Sequence, residues 1–339
     1  MNVSGPTIRV FTTCPQSKDG ASESYAARVA EVARWSEEAE FHGILVYTDN
    51  SLVDPWLVAQ LILQSTRSLS PLVAVQPVYM HPYAAAKMIA SLAFLHGRRL
   101  DVNLVAGGFR KDLLALADET PHDDRYERLV EYAEVVRGLL SAARPFSFEG
   151  SYYRVRNLQL RPAVPEELRP SFFVSGSSPA GLEAARKLEA TAVKYPQPAH
   201  EERSAADPNG TGLGIRVGII ARESDEEAWA VAHDRFPGSR MGQLTHRLAM
   251  EATDSHWHRQ LSARQNGDEP IPDPYWLWPF QNYQTFCPYL VGSHERVAGE
   301  LRAYADSGFR TLIVDIPVSP ADLGHIGVAL ERALAPVAP

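Results

Sequence analysis

The residues best equipped for chemistry lie in FFVSGSSPAGLEAARKL, where an apolar run breaks into Gly176, Ser177 and Ser178 and Pro179 heads an amphipathic stretch. Glycine lets a backbone approach a ligand, serine hydroxyls donate, and the free N–H groups of a helix start add a positive end, so this loop suits the phosphate of a monoester. The same Ser-Ser-Pro is also an ordinary helix N-cap. A second stretch, NLVAGGFRKDLLALADETPHDDRYERLVEYAEVVRGLL, puts Asn103 near the end of another apolar run, follows it with Gly107 and Gly108, and sets His122 and Tyr126 at i, i+4 where a helix begins. Both can address one ligand. Taken singly, His122 reads as a surface cap residue and Tyr126 as a packing aromatic.

Loops of this kind need a scaffold to bring them together. Short β-branched or apolar runs alternate with longer amphipathic stretches, the pattern of βα units around a parallel sheet. Strands are expected at 8–13, 43–48, 72–77, 100–106, 171–176, 191–195, 214–221 and 311–316, and helices at 24–41, 55–68, 83–96, 124–141, 179–188, 225–233 and 295–307. Eight strands in series fit one α/β domain over 1–339, a (β/α)8 TIM barrel with insertions. A dinucleotide-binding open sheet would carry G-x-G-x-x-G after its first strand, and none is there. Between 196 and 212 there is room for about two helical turns, so the sixth helix is expected to be truncated. The insertion at 144–170 alternates like a hairpin. The one at 237–288, with Trp257, Tyr275, Trp276, Trp278, Phe280, Tyr283 and Phe286, reads equally as a lid over an apolar site or as a packed interface. Barrel chemistry sits at the C-terminal ends of the strands.

Composition narrows the class. The chain has 339 residues, 45% of them hydrophobic, and a formal charge of −8, which argues against nucleic acid and anionic membrane as partners and for a small-molecule enzyme. No run reaches the length of a membrane span, and the N-terminus lacks a basic segment leading into an apolar one. Two cysteines, Cys14 and Cys287, stand far apart and outside any metal-ligand spacing, so neither a disulfide framework nor a metal site is expected and a cytoplasmic home is.

Taken together, the segments are far more specific. D-P-W-L-V-A at 54–59, L-V-A at 72–74, N-L-V-A-G at 103–107, H-D-D-R-Y-E at 122–127, S-G-S-S at 175–178, G-I-R and A-R-E-S-D-E-E-A-W within 214–229, and L-V-G-S and Y-A-D-S-G within 290–308 form an ordered set. In this set the chain resembles the alkanesulfonate monooxygenase branch of the bacterial luciferase-like flavin monooxygenases. The resemblance implies FMN, used as FMNH2, with its phosphate on Gly176, Ser177, Ser178 and Tyr126 beside His122, and its ring across the third and fourth strand ends near Gln76 and Asn103. It implies a separate flavin reductase, O2, a flavin C4a-(hydro)peroxide, oxygen transfer to a small organic substrate, and a homodimer or homotetramer. His81, just past the third strand, is either a donor or acid–base group in the flavin pocket or a surface-loop histidine.

The resemblance fails at the substrate end. Where the alkanesulfonate enzymes carry His, Cys, a lid Arg, Tyr and Trp, this chain aligns Cys14, Leu52, Tyr283, Pro317 and Tyr195, and their Arg-x-His reads Arg216-Val217-Gly218. Arg216 is therefore the first candidate for a polar residue at the reacting centre, with Tyr195 and His81 beside it as catalytic candidates and Cys14, Leu52 and Tyr283 as substrate contacts. The alternative for Arg216 is an outward salt bridge, and for Cys14 a small apolar filler. Sulfonates want a cluster of Arg and His donors, so the expected substrate is larger and less charged, such as a specialised metabolite. Hydride transfer with the deazaflavin F420 is the competing chemistry, and a non-catalytic flavin-binding protein the competing class.

Overall fold

The computed structural model describes residues 8–19, 21–202, 212–252, 261–262 and 274–335. In chain order the elements are β1 (Arg9–Thr13), α1 (Ser22–Glu38), β2 (Gly43–Val46), α2 (Pro55–Ser65), β3 (Ser70–Val75), α3 (Pro82–His96), β4 (Asp101–Val105), α4 (Arg110–Ala115), α5 (His122–Ser141), β5 (Phe146–Glu149), β6 (Arg154–Leu158), β7 (Phe172–Ser175), α6 (Pro179–Lys187) and β8 (Thr191–Lys194). They continue with β9 (Leu213–Arg222), α7 (Asp225–Arg235), α8 (Arg240–Ala252), β10 (Tyr275–Trp276), α9 (Trp278–Gln281), β11 (Tyr289–Ser293), α10 (His294–Asp306), β12 (Phe309–Val314) and α11 (Pro320–Leu334).

The fold is a (β/α)8 barrel built from β1, β2, β3, β4, β7, β8, β9 and β12. All eight fall within two residues of the ranges the sequence pattern marks. The pattern leaves α11 unassigned, although Ser319 caps it by accepting the Asp322 N–H at 3.2 Å and Pro320 opens it. The expectation of a truncated sixth helix falls largely on 203–211, outside the described residues; the described part of the connection makes one 3-10 turn, Ala199–Glu201. The 144–170 insertion is the expected antiparallel hairpin, β5 against β6. Of the 237–288 insertion, α8, β10 and α9 are seen, whereas 253–260, with Trp257, and 263–273 lie outside the described residues.

The chain divides into two compact units, a central one (14–37 and 42–192) and a terminal one (1–13, 38–41 and 193–339). In the central unit β2, β3, β4 and β7 run parallel, with Leu45 opposite Leu72, Ala74 opposite Asn103 and Leu104 opposite Val174. Their near-continuous apolar character is that of strands covered on both faces. Cys14, Val29, Ile44, Val46, Val58 and Ile62 share one buried cluster there, each large aliphatic group contributing about 1.5–3 kcal/mol. The helix α2 starts where Asp54 Oδ1 accepts the Trp56 N–H at 2.9 Å. The hairpin is tied to α5 by the Glu131 carboxylate, which accepts the N–H groups of Ser151 at 2.7 Å and Tyr152 at 2.8 Å.

In the terminal unit β1 pairs with β12 and β12 with β9, in register Val10 to Leu312 and Val314 to Val217. β9 is ten residues long and outruns β12. Its far half, Gly218–Arg222, pairs with β11 instead, Gly218 lying opposite Tyr289. One strand thus serves two neighbours in succession, which places the start of β11 level with the end of β12. Asp322 fastens α11 to β9 and α7, accepting from Arg222 at 2.6 Å and Arg235 at 2.8 Å.

Candidate active site

At the end of β7 in the central unit, Ser175 Oγ donates to Asn103 Oδ1 at 2.9 Å, which ties this strand end to that of β4. The chain then turns at Gly176 with φ 157°, and a Cβ there would stand 2.4 Å from the Tyr126 hydroxyl. Only glycine lets the loop lie against Tyr126. Ser178 caps α6, its Oγ accepting the Gly181 N–H at 3.1 Å, and it is also hydrogen-bonded to Tyr126. Burial holds the Tyr126 phenol above its ordinary pKa, with the Ser178 bond opposing the shift, so Tyr126 stays a neutral hydroxyl. Ser177 Oγ is different: it is buried and has no hydrogen-bond partner among the described residues. A buried hydroxyl left without a partner costs about 1–3 kcal/mol, and here it stands at the positive end of a nine-residue helix.

His122 stands at the first position of α5, its ring edge-on to that of Tyr126 with centroids 5.3 Å apart and its Nδ1 at 2.7 Å from Asp123 Oδ1. The structure therefore brings Gly176 and Ser178 against Tyr126, with Ser177 between them in the chain and His122 edge-on to the Tyr126 ring. Arg125 was missed by sequence reasoning. It is fully buried and donates to the Gly107 carbonyl at 3.2 Å, bracing the loop after β4. Only its place inside the H-D-D-R-Y-E run could have flagged it.

The ring candidates occupy the neighbouring strand ends of this unit. Gln76, one residue past β3, donates to the Tyr79 hydroxyl at 3.3 Å, which in turn donates to Asn50 Oδ1 at 2.8 Å. Gly107, at φ 97°, leaves room for this amide, since a Cβ there would be 3.3 Å from Gln76 Oε1 and 2.9 Å from Leu113. A cavity of about 430 Å³ opens beside them, lined among others by Asn50, Leu52, Trp56, Ala74, Gln76 and Tyr79. Leu52 is thus at a cavity wall, whereas Cys14 packs in the apolar cluster, its thiol pushed up to about 12 by burial. His81 Nδ1 accepts the Tyr83 N–H at 3.2 Å as the N-cap of α3, and its ring stands edge-on to Tyr153.

The terminal unit carries a second polar cluster. Arg216 on β9 is buried, with Nη1 donating to the Tyr195 hydroxyl at 3.4 Å and its guanidinium carbon 5.8 Å from that ring. Its Nη2 meets Asp315 Oδ1 at 3.4 Å. Asp315 follows directly on β12, and its other oxygen accepts the hydroxyls of Thr285 at 2.6 Å and Tyr289 at 2.9 Å. Burial and the Asp315 charge both raise the Tyr289 pKa, and burial chiefly raises that of Tyr195, so both phenols stay neutral. Gly218 explains the missing histidine of the Arg-x-His pattern: the Tyr289 ring lies across it, and a Cβ would come within 2.3 Å of that ring. Tyr283 is 37% exposed at φ 56° and packs edge-on against Phe286. Sequence reasoning missed Asp315, Thr285 and Tyr289, which belong to three separate stretches of chain with no shared motif. Among the described residues no group of His, Cys, Asp and Glu could hold a metal ion, and no helix is long and apolar enough to cross a membrane.

The model of a family described as luciferase-like monooxygenase matches residues 7–311. A curated relative, the 4-(gamma-L-glutamylamino)butanoyl-[BtrI acyl-carrier protein] monooxygenase BtrO of Niallia circulans, is 34% identical over 320 residues, covering 93% of this chain and 94% of its own. Among solved structures, EDTA monooxygenase (EmoA) from Chelativorans sp. BNC1 is similar with a TM-score of 0.78 at 14% identity, covering 97% of this chain and 95% of its own. An F420-dependent secondary alcohol dehydrogenase is similar with a TM-score of 0.66 at 12% identity, covering 97% of this chain and 98% of its own.

Proposed function

The chain belongs to the luciferase-like monooxygenase family, and we propose that it works as the oxygenase of a two-component system. In this reading it takes reduced FMN from a separate reductase and oxygenates a small organic substrate with O2, in the cytoplasm, as a homodimer or homotetramer. Bound FMNH2 supplies the activation of O2. Ser177, Ser178, Tyr126 and His122 hold the phosphate at the start of α6, and Gln76 and Asn103 address the ring at the ends of β3 and β4. The cavity beside Gln76 offers room for the ring at that end, between the amide and the apolar Leu52, Trp56 and Ala74. His81, fixed as the cap of α3, keeps its Nε2 for a neighbouring donor or acceptor.

The observation that carries the reading is the buried, unpartnered Ser177 hydroxyl at the start of α6, beside the Gly176–Tyr126 approach. Native protein should bind FMN on the order of tenfold or more tighter than riboflavin, which lacks the phosphate, about 1.4 kcal/mol per tenfold. Ser177→Ala should weaken FMN and leave riboflavin unchanged in the same fluorescence titration. Equal affinity for the two flavins would sink the assignment. F420-dependent hydride transfer is the second reading, because the fold is shared with an F420-dependent dehydrogenase. Substrate turnover without oxygen would decide for it.

At the substrate end we take Arg216 and Tyr195 to meet the substrate, with Tyr283 as a contact. The relative from Niallia circulans acts on an acyl group attached to an acyl-carrier protein, and acyl groups of that kind are the first substrates to test here. Short alkanesulfonates are expected to be poor ones.

A further inference from the structure

Arg216 holds a guanidinium whose side chain is 9% exposed, and a charge taken out of water to that degree requires an anion close by. In an anion-binding site the substrate brings that anion. Here the chain brings its own. Asp315 Oδ1 stands 3.4 Å from Arg216 Nη2, and the Tyr195 hydroxyl takes Nη1 at the same distance, so both terminal nitrogens are already engaged. The second Asp315 oxygen is held by two short hydroxyl bonds, from Thr285 at 2.6 Å and Tyr289 at 2.9 Å. Two hydroxyls donating to one carboxylate oxygen fix the direction of the group. The Tyr289 donor is in place because Gly218 lets its ring cross β9.

We propose that Asp315 is a specificity-determining residue, the built-in counter-ion of Arg216, which turns an anion site into one for an uncharged group. Arg216 remains able to donate to an amide or ester carbonyl, which adds no charge. A sulfonate or carboxylate in the same place would lie against the Asp315 carboxylate, and like charges at short range in a buried setting repel strongly. The cluster works as an element directed against one substrate class rather than only for another. This rests on the reading that Arg216 meets the substrate.

The test is a binding titration of the full chain with hexane-1-sulfonate and with hexanamide, followed by calorimetry, with and without saturating FMN. Native protein should bind the amide at least tenfold tighter than the sulfonate. Asp315→Asn should tighten sulfonate binding tenfold or more and leave the amide within twofold, and adding Arg216→Met to it should abolish that gain. Thr285→Val keeps the carboxylate and should keep the native preference. The proposal is overturned if native protein binds sulfonate as well as amide, if it binds no amide, or if folded Asp315→Asn shows no gain. Should Asp315→Asn not fold, the native ratio alone decides. Loss of FMN binding would strike the cofactor reading and leave these ratios standing, because they compare variants at a place where no FMN contact is assigned.

Discussion

The polar cluster at the end of β7 and the one around Asp315 differ in what they leave unfinished. In the central unit a hydroxyl is buried without a partner at a helix start, and a glycine keeps the loop pressed to a tyrosine. In the terminal unit each oxygen of Asp315 is met by donors from the chain itself. The first arrangement leaves a buried hydroxyl unmet, whereas in the second both carboxylate oxygens are already met. A polar cluster therefore announces a ligand by the hydrogen bonds it lacks more than by the charges it contains.

The largest expected effect breaks the self-contained cluster. Arg216→Met leaves the Asp315 carboxylate buried against two hydroxyls only and should cost about 3–5 kcal/mol in urea unfolding. A loss below about 1 kcal/mol would show that the pair does not depend on itself. Next comes the incomplete cluster. Gly176→Ala forces a methyl group to within 2.4 Å of the Tyr126 hydroxyl, and FMN affinity should fall on the order of 100-fold, about 2.7 kcal/mol. Fluorescence titration reads it, and an unchanged affinity would detach the phosphate from this loop.

A smaller effect separates packing from charge in the terminal unit. Gly218→Ala meets the Tyr289 ring and should cost about 1–3 kcal/mol. In a Tyr289→Ala background the same change should cost less than half as much, and additive losses would rule out the contact as the cause. The smallest effect concerns the connection that leads into α5. Burial alone would raise the Asp118 carboxyl, but bonds from Arg128 and Thr120 outweigh it and hold the pKa at about 2, below the ordinary 3.8. Its folded value lies below the unfolded one, so its contribution is complete above about pH 4 and fades as pH falls toward 2. Melting curves across that window should show a shallower acid loss in Asp118→Asn than in the native chain.

The same contrast governs how much could be read from sequence. The eight strands were legible because each is a short β-branched run between amphipathic stretches, a signal local to the segment. The Gly176–Ser177–Ser178 turn into a capped helix was legible for the same reason, since these residues are adjacent, whereas its pairing with Tyr126 came from the family resemblance. Asp315 was not legible. Its partners are at 195, 216, 285 and 289, brought together by the registers of β9 with β12 and β11, and nothing near residue 315 records those registers. The helix α11 is not marked by the alternation of strands with helices, since no further barrel strand follows it, although Ser319 caps it and Pro320 opens it. Cys14 aligned with a substrate residue of the alkanesulfonate branch, yet it packs among valines and isoleucines, where a small side chain fills space.

The crossing of Tyr289 over Gly218 also bears on descent. A lineage that has set an aromatic ring across a bare strand position restores a side chain there only at a cost in stability, because the first substitution collides and the reverse order leaves a hole. Such a pair would slow a return. Substrate preference that drifted through it would be retained by packing long after selection for the new substrate had lapsed.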